Sequence, residues 1–186
     1  MSRRGAIVLA VVFLIAFGLL GLGKYGYGKI ETLQSLENAE ADIRRKYPRV
    51  DQISPDTLLL HRKAGEKVLL IDARTEEEFA MSHLPGSFNK ETFDETFAYL
   101  EQLPSPPDVI VLYGAIGYRS SKLAEQLQSA QSIGVKHLKG SIFRWAQEGR
   151  AMVDEEGSEV LLVHPYNRHW AHLLDEDNRA SITPEE

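Results

Sequence analysis

The sequence predicts an α/β fold with a largely parallel central sheet flanked by helices, preceded by one transmembrane helix. Three observations predict it. Short apolar runs occur at KVLLID (Lys67–Asp72) and DVIVLY (Asp108–Tyr113), helical patterns with caps and prolines separate such runs, and the chain begins with a long uncharged stretch. Strands buried on both faces read as continuous apolar runs, and strands alternating with helices imply a parallel sheet. At 186 residues the chain can hold one ordinary domain plus an appendage.

The uncharged stretch is Gly5–Gly23, nineteen positions. As a helix rising about 1.5 Å per residue it spans roughly 28 Å, close to the hydrocarbon thickness of a bilayer. Arg3 and Arg4 precede it, and Lys24, Tyr25, Tyr27 and Lys29 follow it, residues suited to the headgroup region. A cleavable signal peptide has a shorter apolar region and a small-x-small site, whereas this run ends in LGLGKYGYG. The reading is therefore an uncleaved signal anchor, with the lipid bilayer as a partner through Gly5–Gly23. The paired arginines favour an inside N-terminus, which places the body of this single-pass protein on the non-cytoplasmic (periplasmic or extracytoplasmic) side.

Ile30–Tyr47 follows as a helix, with Ile30, Leu33, Leu36 and Ile43 near helical spacing and Pro48 as its stop. Its expected role is a stalk or a cover for the globular part. Ser54-Pro55-Asp56 opens the next helix, with serine as N-cap and proline at the first helical position. After KVLLID, Thr75-Glu76-Glu77-Glu78 reads as a capping box. Pro85-Gly86 marks a turn, and Glu91–Leu103 is a helix halted by a proline cluster. A short loop after DVIVLY leads into a helix over Arg119–Ala130, with Leu123, Ala124 and Leu127 inward. Val135–Leu138 is a third strand, and Gly140–Gly149 holds a turn or short helix containing Trp145. Ligands of parallel sheets sit beyond the carboxyl ends of the strands, which directs attention to the loop after Tyr113.

Four segments in this order resemble the rhodanese superfamily: LLIDAR (Leu69–Arg74), EEEF (Glu76–Phe79), SHLPGS (Ser82–Ser87) and VLYGAIGYRS (Val111–Ser120). KGSIFRWAQEG (Lys139–Gly149) resembles the closing Gly-x-x-x-Trp segment of that family. The resemblance covers roughly Ser54–Val153. Together with the uncharged run and the acidic tail, it divides the chain into a flank at 1–4, a transmembrane helix at 5–23, a stalk helix and linker at 24–53, a rhodanese-like domain at 54–153 and an acidic extension at 154–186.

Active members of the family carry C-x-x-G-x-R-S after the central strand. Aligned on Gly117, Arg119 and Ser120, the cysteine position is Gly114, and the chain contains no cysteine at all. That cysteine acts as a thiolate that takes up sulfane sulfur as a persulfide, held by backbone N–H groups and a helix start. Glycine offers no thiol, so no catalytic residue is assigned. What the resemblance leaves is a loop, Gly114, Ala115, Ile116, Gly117, Tyr118 and Arg119, as a candidate anion-binding cradle. The competing reading makes it a plain connection, with Arg119 tied back to the body. Asp72, Arg74, Glu78 and His83 match family positions and are expected to support the architecture, with an acid or base role for Asp72, Glu78 or His83 as the sharper alternative. Ser120 and Tyr113 are the hydroxyls at hand, neither with a base evident from sequence. The six-position loop is the sulfurtransferase form; related dual-specificity phosphatases have one residue more.

Without cysteine, disulfides, thiolate metal sites and persulfide carriers are excluded. From Ala151 onward nine acidic residues face two arginines, which argues against nucleic acid as a partner. His169 and His172 would lie one helical turn apart if that stretch is helical, but with His164 as a distant third they make only a weak metal signal, and no metal or cofactor is assigned. In the extension, Val160–Val163 is expected to form an edge strand or pack on the domain. Trp170, Leu173 and Leu174 should dock an amphipathic turn, and Asp175–Glu186 should fray. The functional expectation is a membrane-anchored, catalytically inactive rhodanese-like module whose partner is a protein or a small anion. The alternative is a divergent sulfurtransferase- or phosphatase-related enzyme that uses the loop without a cysteine nucleophile.

Overall fold

The computed structural model describes residue 28 and residues 30–131 and 134–181. The expected span at 5–23 lies outside the described residues; among the described residues no helix is long and apolar enough to cross a membrane.

The chain enters through helix α1, described over residues 30–46. It is not a free-standing stalk. Its first turn is open to solvent at Ile30, but Leu36, Ala39 and Ile43 are buried in the body. Next come β1 (Asp51–Ile53), α2 (Pro55–Lys63), β2 (Val68–Asp72), α3 (Glu76–Met81) and β3 (Ser87–Asn89). They are followed by α4 (Phe93–Glu101), β4 (Val109–Tyr113), α5 (Tyr118–Gln131), β5 (Val135–Leu138) and α6 (Ser141–Gln147). The caps form as the sequence dictates. Ser54 Oγ accepts from Thr57 N at 3.1 Å, and Thr75 and Glu78 complete a reciprocal capping box.

β1 to β5 form one sheet of order β1-β5-β4-β2-β3, every pair parallel. The central strand β4 is buried along its whole length. Its residues alternate between two cores, as the two-residue period of a strand requires. Val109, Val111 and Tyr113 join a cluster with Leu58 of α2 and Ile142 and Phe143 of α6. Ile110 and Leu112 join a second cluster with Leu123, Ala124 and Leu127 of α5, against which Phe93 and Phe97 of α4 pack. α1 contributes to both, Leu36 to the first and Ile43 to the second.

Two strands escaped the sequence pattern. β1 and β3 have three residues each and sit at the sheet edges. So short a run carries no readable alternation. β1 lies within the expected linker, yet Ile53 pairs with Leu138 of β5, so the sheet reaches back beyond residue 54.

The C-terminal extension begins with a small antiparallel pair, β6 (Met152–Val153) and β7 (Glu159–Val160). Thus the expected edge strand forms only at its first residue. Leu161 and Leu162 are exposed, and Val163 turns inward. Leu173 and Leu174 dock as expected, around a 3₁₀ turn at Ala171–Leu173. The expected fraying from Asp175 needs correction over residues 175–181, while residues 182–186 lie outside the described residues. A second 3₁₀ turn covers Glu176–Asn178, Arg179 bridges to Val163, and Ala180 is buried. Acidic composition understated the order here because a few apolar anchors hold the segment.

Candidate functional site

The site sits where a parallel sheet places it, at the carboxyl end of β4. Gly114, Ala115, Ile116 and Gly117 link β4 to α5, and all four are buried. The first turn of α6 lacks a side-chain cap. Instead, Ile142 N and Phe143 N each donate at 3.1 Å to Gly114 O and Ala115 O. The orphan N–H groups of one helix are thus satisfied by the carbonyls of the loop, which fixes the loop's path. Gly114 N donates to Ser141 Oγ at 3.1 Å, and that hydroxyl donates to Leu138 O at 3.3 Å. Ser141 holds this place in the left-handed region, at φ 51°.

Beneath the loop lies a buried pair that the sequence did not reveal. Ser120 Oγ stands 3.2 Å from Gly117 O and 3.2 Å from His137 Nδ1. His137 comes from the neighbouring strand β5, eighteen positions past the loop's arginine, so only tertiary pairing brings it here. Burial lowers its pKa to about 4, so the imidazole is neutral at physiological pH. A nucleophile needs access as well as a base. Ser120 is fully buried under Gly117, and its geometry serves the loop's shape.

Arg119 is tied back to the body by Glu78. Its guanidinium meets Glu78 through Nη2–Oε1 at 2.8 Å and Nη1–Oε2 at 2.6 Å. Burial pushes the Glu78 carboxyl up, but hydrogen bonding and charge from Arg119 more than offset this and hold it below its ordinary value. The other face of Arg119 lies 4.6 Å from the ring of Tyr166. Tyr118 is half-buried between Lys46 of α1, 5.5 Å from its ring, and Trp170 of the extension, at a centroid distance of 6.1 Å.

The remaining matched positions are structural in their contacts. Asp72 and Arg74 form a fully buried pair, with Nε–Oδ1 at 3.0 Å and Nη2–Oδ2 at 2.7 Å, and Arg74 Nη2 also donates to Ser82 O. Burial works against the guanidinium charge, and Asp72 outweighs it, raising the pKa of Arg74. Tyr113 OH accepts from Leu84 N at 3.1 Å and bonds Ser87 Oγ at 2.9 Å. Burial, foremost, pushes that phenol well above its ordinary pKa, so it stays protonated. His83 exchanges backbone bonds with Val153 and stacks on Phe79 at 3.8 Å.

Two surface cavities, of about 630 and 350 Å³, open elsewhere, and no residue from 114 to 119 lines either. Among the described residues no three His, Asp or Glu side chains gather in a metal-holding group. Gly114, Ala115, Ile116 and Gly117 are buried and carry no polar side chain.

The fold and this loop define a parallel α/β domain in which a buried turn joins the central strand to the next helix. Residues 54–148 match the rhodanese-like domain model. The chain belongs to the rhodanese-like domain family. It is 29% identical over 108 residues to a sulfurtransferase of Allochromatium vinosum, covering 58% of this chain and 99% of that one. It is 28% identical over 111 residues to an uncharacterized protein of Synechocystis, covering 60% of each chain. In structure it resembles thiosulfate sulfurtransferase of Pseudomonas aeruginosa, with TM-score 0.54 and 16% identity, over 68% of this chain and 24% of that one. That likeness shows the fold alone.

Proposed function

We propose that this protein is a membrane-anchored rhodanese-like domain that has given up sulfur transfer and serves as a binding or regulatory module. The observation that carries the reading is Gly114, in the position of the family's cysteine, in a chain that has no cysteine anywhere. Sulfur transfer through a persulfide needs a thiolate, and no residue here supplies one. The burial of Gly114, Ala115, Ile116 and Gly117 supports the same reading. Of the two partner classes, a protein is favoured over a small anion. Both terminal nitrogens of Arg119 already bond Glu78, so an anion there would compete with that carboxylate. Anchoring through Gly5–Gly23 would keep the module on the non-cytoplasmic face of a membrane.

The test is a thiosulfate:cyanide sulfurtransferase assay on the full-length chain in detergent. The expected result is no thiocyanate above the blank. Turnover that scales with enzyme concentration and survives repurification would overturn catalytic silence.

A further inference from the structure

We infer that residues 161–180 form a strap, docked in cis over the loop at 114–119, that can lift away as a unit and so control access to it. Coverage comes from side chains. Tyr166 lies on the Arg119 guanidinium and Trp170 on Tyr118, while Val163, Leu173 and Leu174 enter the same apolar cluster as Ala115 and Ile116.

The strap's own hydrogen bonds make it a unit. Val163 N donates to Asn178 O at 2.7 Å, Ala180 N donates to Val163 O at 3.1 Å, and Arg179 Nη1 reaches Ala171 O. Toward the body, Gln147 Nε2 donates to Leu173 O at 2.6 Å. A segment that bonds to itself and docks by side chains can open without unzipping a sheet ladder, as local cooperative units do. Tyr166 adds a stored bias. It sits at φ 68°, a left-handed conformation disfavoured for a residue with a Cβ, and its position over Arg119 compensates for that. Losing the Arg119 contact removes that compensation, which favours release of the whole strap.

Coverage of the loop is independent of whether the loop has chemistry, and two readouts keep them apart. Thiol labelling reports the cover, and sulfurtransferase turnover reports the chemistry. Because the chain has no cysteine, a single introduced thiol is its own reporter. A Cβ built on Gly114 meets nothing closer than Ser120 Oγ at 3.6 Å, so Gly114→Cys fits the loop. In the full chain its iodoacetamide labelling is expected to be at least about tenfold slower than that of the exposed reference Glu156→Cys. Adding Tyr166→Ala and Trp170→Ala should raise the rate about tenfold or more, with the urea midpoint still showing a folded protein. Fast labelling with the strap intact would overturn the inference, as would labelling in the triple variant that waits for global unfolding. Should Gly114→Cys fail to fold, hydrogen exchange on the unmodified chain decides. The amides of Val163 and Ala180 should exchange together and well ahead of those of β4. Their exchange only through global unfolding would overturn the strap.

Discussion

The two ends of the loop, Gly114 and Gly117, carry the same residue for opposite reasons. At Gly117 the backbone lies at φ 123°, and a Cβ would fall 2.5 Å from His137 Cε1 and 2.7 Å from Nε2. Only glycine satisfies both the conformation and the space. At Gly114 the backbone lies outside the left-handed region, and a Cβ would make ordinary contacts with Ser120. The fold does not ask for glycine there. The contrast teaches that the loop still has the shape for a side chain at its first position and simply lacks the side chain. Scaffold and chemistry have parted within four residues.

The sharpest way to break this contrast is to add one methyl group at each end. Gly117→Ala is expected to destabilise the domain by roughly 3 kcal/mol, combining the cost of a left-handed conformation with overpacking against His137. Urea unfolding of the variant measures it, and a loss below about 1 kcal/mol would show that the ring beneath can step aside.

A second effect belongs to the ring itself. The folded pKa of His137 is lowered from 6.5 to about 4, so the unfolded chain binds its proton first as pH falls. Its contribution is therefore fully present above pH 6.5 and is lost as pH drops toward about 4. At most about 3 kcal/mol follows from a shift of that size. Stability measured across this window should fall, and His137→Gln should flatten that part of the slope. Equal slopes in both proteins would place the acid sensitivity elsewhere.

The smallest effect is expected at the other end. Gly114→Ala should be neutral or stabilising by up to about 1 kcal/mol, because it restricts the unfolded chain and clashes with nothing. A clear loss of stability there would mean that the empty position is needed empty.

Much of this architecture was legible because the signals were local. KVLLID and DVIVLY announced buried strands, Ser54-Pro55 and the Thr75–Glu78 box announced helix starts, and the loop motif marked the turn from β4 into α5. What stayed hidden depends on residues distant in sequence. β1 is a strand only because β5 pairs with it, and His137 reaches the loop only through the order of the sheet. The extension was misread past Asp175 because composition registers its charges but not the depth of Val163 and Ala180. Arg119 shows the limit most clearly. Its place in the motif was plain, but whether it faced a ligand or Glu78 was a question of geometry.

Tyr118 has a consequence for how the molecule would respond to substitution. One side of its ring meets Lys46, near the end of α1, and another meets Trp170. The entering helix and the closing segment therefore share one aromatic neighbour, in addition to their own apolar anchors. Replacing that ring with a small side chain would remove both contacts at once, so the packing of the two segments would change together.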